Sequence, residues 1–357
     1  MLITYLWQLI WQLQNYLLNH LIEEILSGVI CTNKVKKIIT SIIIISLVII
    51  SLCGCSNDDD IVYDIYDNSM GYNIIEGESI TDNNLFAKDL CVTNGVNKGT
   101  ERVESQVAGG AILANRATKE INYSQNIFQK MFPASTTKIL TALVCVKYAN
   151  LNDTVTVSQN ACNQTSDSSV CGLKPGDRIT YRDLLYGLLL RSGNDAAIAI
   201  AEGMYGSQEE FAKAMNNEAK LAGATHSNFV NANGLHNDNH YTTVYDMYLL
   251  FEAALDYKLI YDIVTTTNYD VAYTDAAGNP VQQKWANTNL YLTNQVRQPI
   301  GITVLGGKTG TTNPAGYCLV LLSRNSKNEE LISIVYNADC RQNLYYLMNQ
   351  ILDTYGS

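Results

Sequence analysis

The spacing of apolar positions changes several times along the chain. Two short apolar runs, 108–114 and 120–123, are separated by a turn-like stretch and predict a pair of strands. Phe132-Pro133 then breaks the pattern, and a proline there is suited to the first turn of a helix carried on by Ile139, Leu140, Leu143 and Val146. Helical spacing recurs over 181–190, 194–202, 208–221 and 243–255. β-branched runs return at 302–308, 316–324 and 331–337, the last two joined by Asn325-Ser326-Lys327-Asn328, and 343–353 reads as a closing helix. Strands near both ends with helices inserted between them predict an α+β domain over 105–357, with one mixed sheet and a helical subdomain.

Ahead of that domain, Lys34, Lys36 and Lys37 precede an uncharged run over 38–52 that ends in Leu52-Cys53-Gly54-Cys55. The run is shorter than the about 20 residues of a stable span, and basic, apolar and small residues in that order predict a signal peptide over 35–54. A cysteine directly after glycine resembles the bacterial lipobox, so Cys55 is the expected lipid carrier, holding the exported protein on the outer face of the bacterial cell membrane. An uncleaved anchor is the alternative, and it too leaves the rest exported. Residues 1–34 precede the point where such a signal begins. They read either as an extension ahead of a true start at Val35 or as an amphipathic, membrane-associated helix. Residues 55–104, headed by Asp58-Asp59-Asp60 and rich in Asn, Ser and Gly, have weak periodicity and read as a tether.

Composition narrows the partners. The 34 acidic against 24 basic residues give a formal charge of −10, which argues against a nucleic-acid partner drawn by its phosphates. Six of the nine cysteines follow Cys55. Cys162 and Cys171 flank one loop-like segment where a local disulfide is plausible, whereas Cys145 falls in an apolar helical pattern and reads as core.

Three motifs carry the chemistry. Ser135-Thr136-Thr137-Lys138 sits at a helix start, where a separation of three puts hydroxyl and amine on one face and the unpaired amides favour negative charge. To take the Ser135 proton, Lys138 must be neutral, which requires burial or a second cation; Lys308 is the candidate. Ser192-Gly193-Asn194 lies between two helical patterns and is expected to offer a hydroxyl and an amide from a loop. Lys308-Thr309-Gly310 falls on a late strand whose small residues let a ligand backbone approach, with a cation and a hydroxyl suited to a carboxylate. Each tripeptide alone is common; in this order and context they form a specific set.

The stretch Pro133 to Ala142 resembles the active-site stretch of the low-molecular-mass penicillin-binding carboxypeptidases, the serine-type D-alanyl-D-alanine carboxypeptidases. Asp183 to Ala197, Phe229 to Leu235, His240 to Thr243 with Asp246-Met247, and Asn287-Thr288-Asn289 are similar to further stretches of that family. The resemblance implies a penicillin-binding, serine β-lactamase-like fold with a largely antiparallel five-stranded sheet flanked by helices, and an active cleft beside a helical subdomain. It implies that Ser135 is acylated, with Lys138 as its base and Ser192 relaying a proton to the leaving D-alanine. Asn194 would orient the peptide, Lys308, Thr309 and Thr311 would bind the terminal carboxylate, and the amides of Ser135 and Thr311 would form the oxyanion hole. Thr311, at a position that varies among relatives, carries the weakest of these assignments. The implied substrate is the peptidoglycan stem peptide, with β-lactams as covalent inhibitors and no cofactor or metal.

Two rivals remain at this stage. A class A β-lactamase would need an added glutamate for deacylation, and Glu218-Ala219-Lys220-Leu221-Ala222 imitates its E-x-x-L-N stretch without the Asn, so Glu218 is expected to be a solvated helix residue. A catalytically silent cell-wall-binding lipoprotein would not be expected to keep Ser135, Lys138, Ser192 and Lys308. His226, His236 and His240 have no H-E-x-x-H frame, and His236 and His240 are expected to fix a loop near the cleft.

Overall fold

The computed structural model describes Cys91 and residues 93–357. The expected extension at 1–34, signal peptide at 35–54, lipid carrier Cys55 and tether up to residue 90 lie outside the described residues.

Five strands form the main sheet: β1 (Gly110–Asn115), β2 (Ile121–Gln125), β7 (Ile302–Thr312), β8 (Gly316–Asn325) and β9 (Glu330–Ala338), in the order β2-β1-β9-β8-β7. Every pairing in it is antiparallel, so the sheet is not mixed. β8 and β9 are apolar at successive positions because both sheet faces are covered. Ile112, Val320, Leu322, Ile332 and Ile334 join the core shared with the helical body. Ala111, Leu113, Leu319, Leu321 and Val335 alternate with them onto the other face, against Leu344, Leu347, Met348 and Ile351 of the closing helix (Arg341–Tyr355). A period of two on doubly covered strands reads as a continuous apolar run.

The helical body contains α1 (Lys138–Tyr148), α2 (Gln159–Cys162), α3 (Tyr181–Leu190), α4 (Asn194–Tyr205), α5 (Gln208–Leu221), α6 (Val244–Leu255) and α7 (Lys258–Val264), and the closing helix is α8. Side-chain caps begin several of these: Thr180, Ser207 and Thr243 each accept the amide three residues on. A second, four-stranded sheet, β3 (Thr154–Thr156), β4 (Arg178–Thr180), β5 (Asn268–Thr274) and β6 (Pro280–Ala286), has no counterpart in the expectations from sequence.

The end of the segment read as tether packs on the domain. Lys98 forms a β-bridge with Ser124, the Val96 carbonyl accepts from Ser124 Oγ at 2.8 Å, and Asn97 Oδ1 accepts the Asn126 amide at 2.8 Å. Ordered contacts with the fold therefore begin before residue 105.

Glu218 is not solvated. It is 4% exposed, pairs with Lys147 Nζ at 2.7 Å and accepts from the Tyr148 hydroxyl at 2.7 Å. α5 turns this charged position inward because a cation and a phenol from the end of α1 satisfy it. The six described cysteines are free, so the plausible Cys162–Cys171 bridge is not formed. Cys162 Sγ donates instead to the Leu173 carbonyl at 3.3 Å, and Cys145 is fully buried in the core.

Candidate active site

The first functional segment is strained and tightly covered. After Pro133, Ala134 adopts a left-handed backbone with φ 48°, and Ala134–Thr137 is a 3-10 turn that passes into regular helix only at Lys138. Gly234 approaches so closely that a Cβ there would stand 1.9 Å from the Ala134 carbonyl. From the other side, a Cβ on Gly310 would lie 3.0 Å from the Pro133 carbonyl and 3.1 Å from the Ser135 amide. Both glycines are required by close backbone approach.

Lys138 is fully buried. Its Nζ is 3.0 Å from Ser135 Oγ, 2.8 Å from Asn194 Oδ1 and 2.6 Å from the Asn233 carbonyl. Burial, and then the charge of Lys308, hold its pKa well below the ordinary lysine value. No described carboxylate pairs with it, so its acceptors are all neutral.

Ser192 has a left-handed backbone, φ 59°, which turns its hydroxyl toward β7. Lys308 Nζ donates to Ser192 Oγ at 2.9 Å and to the Thr309 carbonyl at 2.8 Å, and burial lowers its pKa to about 7. Asn194 begins α4 rather than closing a loop. It spends its carbonyl on Lys138, and its NH2 group has no acceptor among the described residues. Thr309 Oγ1 lies 2.9 Å from Thr288 Oγ1, and Thr311 Oγ1 donates to the Gly310 carbonyl at 2.8 Å.

Ser135, Ser192, Thr309 and Thr311 open on one cleft of about 360 Å³. Lys138, Asn194 and Lys308 stand directly behind it, so the structure brings all seven sequence-predicted residues of the domain together. His240 supports the floor: its Nδ1 accepts the Val230 amide at 3.2 Å and its Nε2 is 2.8 Å from Thr137 Oγ1. Burial, with His236 and Lys138 nearby, lowers its pKa to about 4, so the ring is neutral at pH 7. His236 stacks edge-on against Phe132, centroids 4.7 Å apart. His240 therefore ties the segment at Val230 to the Ser135 turn, and His236 packs on the residue before Pro133.

Reading the sequence missed two contributors. Asp195, 2% exposed, accepts the amides of Cys171 at 2.9 Å, Gly172 at 2.9 Å and Leu173 at 3.1 Å. It staples a strap whose Ser169 lines the cleft and takes the Asn194 amide on its carbonyl at 2.8 Å. Arg341 lines the far end of the cleft, 5.9 Å from the Tyr317 ring centroid. Its signal was available, because a cation on the first residue of a helix opposes the helix dipole and needs another reason to be there.

Known proteins resemble this chain in both sequence and fold. The sequence signature of Peptidase_S11, D-alanyl-D-alanine carboxypeptidase, matches residues 97–340. The D-alanyl-D-alanine carboxypeptidase DacF of Bacillus subtilis is 32% identical over 253 residues, covering 69% of this chain and 61% of that protein. DacC of Escherichia coli is 36% identical over 237 residues, covering 64% and 56%. The chain therefore spans about three-fifths of the length of these curated relatives. Among solved structures, the Streptomyces K15 DD-transpeptidase superposes with a TM-score of 0.64 at 28% identity, covering 70% of this chain and 97% of that one. A D-alanyl-D-alanine carboxypeptidase from Mycobacterium tuberculosis gives 0.61 at 28% identity, covering 70% and 90%. The fold is the penicillin-binding, serine β-lactamase-like one, and the chain belongs to the Peptidase_S11 family of D-alanyl-D-alanine carboxypeptidases.

Proposed function

We propose that this protein removes the terminal D-alanine from peptidoglycan stem peptides through an acyl-enzyme on Ser135. The observation that carries the reading is the pair of buried lysines, each hydrogen-bonded to a serine hydroxyl. Neutral Lys138 accepts the Ser135 proton as Oγ bonds to the penultimate D-alanine carbonyl carbon. The amides of Ser135 and Thr311 receive the oxyanion, a type of interaction whose single donors are worth about 10²–10³ in rate. The C–N bond then breaks, and the proton passes by way of Ser192 to the leaving amine. Lys308, Thr309 and Thr311 hold the terminal carboxylate with Arg341 adding charge beyond them, and the Asn194 NH2 orients the acyl peptide. Water, activated by the same lysine, adds to the ester carbonyl and frees Ser135. A β-lactam presents its amide to the same groups and acylates Ser135.

The domain is held outside the cell membrane by lipid on Cys55, a reading supported by the sequence around that residue. Loss of fatty-acid labelling in Cys55→Ala tests it; labelling that persists would sink it.

The activity is tested with the full chain in detergent, by D-alanine release from diacetyl-Lys-D-Ala-D-Ala. Release that disappears in Ser135→Ala is expected. No release from well-folded protein, with acyl transfer to an added amine instead, would replace hydrolysis by transpeptidation, the activity in the name of the Streptomyces K15 enzyme.

A further inference from the structure

The turn between β7 and β8 leads into a second cavity, of about 490 Å³, walled by Lys130, Phe132, Asp238, Tyr241, Pro314 and Asn337. The two segments that build the catalytic centre continue into it: Phe132 precedes Ser135 by three residues, and Pro314 follows Thr311 by three. With the terminal carboxylate at Lys308 and Thr309 and the scissile carbonyl at the Thr311 amide, the direction of the remaining peptide is fixed. It runs along the free edge of β7 past Thr312 toward Pro314. β7 is an edge strand, so an extended peptide has unpaired backbone groups to meet there. A strand advances about 3.3 Å per residue, which sets this cavity about three residues upstream of the scissile bond.

Its chemistry selects an occupant. Phe132 and Tyr241 give aromatic walls. Lys130 Nζ lies 4.2 Å from the Tyr241 ring centroid, which holds the ammonium in place, and it makes no ion pair among the described residues. The acid in the same wall, Asp238, is turned onto His236 Nε2 at 3.3 Å. Lys130 is therefore a cation of this wall that no described carboxylate pairs with, although Asp238 stands in the same wall.

We propose that this cavity is a subsite for the upstream part of the substrate, with Lys130 receiving a carboxylate carried about three residues before the scissile bond. The proposal rests on the carboxypeptidase reading above and gives it a preference: an acidic, extended acyl peptide over a short or amidated one.

The test measures kcat/KM for D-alanine release by the full chain in detergent. Three peptides are compared: diacetyl-Lys-D-Ala-D-Ala, a five-residue stem peptide with a free carboxylate on its second residue, and the same peptide with that carboxylate amidated. The acidic peptide is expected to exceed the other two by about two- to fivefold, the range of an exposed charge pair. Lys130→Glu is expected to erase the margin between acidic and amidated peptides. Equal rates for those two in the wild type, or a margin that survives Lys130→Glu, would overturn the subsite. If no peptide is turned over, binding to Ser135→Ala separates the two ideas. Tighter binding of the acidic peptide, lost on adding Lys130→Glu, keeps the subsite while the carboxypeptidase reading fails; equal binding of both peptides removes the subsite.

Discussion

Two lysines are buried in this site, one on the floor and one on the strand edge, and their surroundings differ in a way that separates their roles. Lys138 stands at the start of α1 among three neutral acceptors, and its pKa is pushed down by burial and then by the neighbouring cation. Lys308 stands on β7 with a serine hydroxyl and a carbonyl, and burial alone lowers it to about 7. Two ammonium groups in such proximity do not share full charge, because each raises the cost of the other in a water-poor site. Lys308 is thus the better placed of the two to attract a carboxylate, and Lys138 to accept from Ser135.

The largest effect should come from breaking the floor. Lys138→Ala is expected to slow Ser135 acylation by a labelled penicillin by about 10³-fold, within the range of general-base contributions. Lys138→Arg should do no better, because a guanidinium stays protonated at any accessible pH. Near-normal acylation by either variant would remove Lys138 from its role.

A smaller effect should follow at the strand edge, where charge and not basicity is needed. Lys308 is protonated below about pH 7 and loses its proton above it, so kcat/KM for a peptide with a free terminal carboxylate should fall on the alkaline side. Lys308→Arg keeps the charge, and its profile is expected to stay level through pH 9, although imperfect geometry costs about tenfold overall. An alkaline limb unchanged by the substitution would assign that titration to another group.

Asp195 ties both sides to the strap over the cleft. Asp195→Asn keeps one acceptor oxygen and replaces the other by an NH2 group, so either the Cys171 amide or those of Gly172 and Leu173 lose their acceptor, at a cost of about 1–3 kcal/mol. Turnover is expected to fall about tenfold through kcat, with penicillin acylation less affected than hydrolysis. A fall confined to thermal stability would leave Asp195 a structural residue only.

How much of this was legible follows from where the information lies. The motif residues and the doubly covered strands β8 and β9 could be read because their chemistry or apolarity is local to a few positions. β5 and β6 could not, since most of their residues are exposed or half-buried and polar; their strand character comes from pairing with each other and with β4, which no single run displays. Glu218 misled for the opposite reason. Its helix is amphipathic, but burial was decided by Lys147 and Tyr148 on another helix, a tertiary fact. Asp195 lay within a recognised stretch, yet its three amide partners come from 171–173, so its work appears only in three dimensions.

The smallest expected effect on activity is the one that sharpens the comparison most. His240 sits beneath the Ser135 turn, and its charge and that of Lys138 oppose each other, so an acid limb in kcat/KM has two candidate owners. His240 is neutral when folded, with a pKa of about 4 against the ordinary histidine value of 6.5. The unfolded chain therefore binds the extra proton first as pH falls, and the stability this site contributes is complete above pH 6.5 and lost on the way down to about 4. His240→Gln keeps a donor for Thr137 Oγ1 and an acceptor for the Val230 amide while removing the titration. The variant should lose less than threefold in kcat/KM at pH 7, unfold with a weaker dependence on pH between 4 and 6.5, and keep the acid limb of the wild type, because that limb reports the protonation of Lys138. An acid limb that moves with the substitution would give the titration to His240, and the floor of the site would then owe its low-pH behaviour to the histidine and not to the lysine.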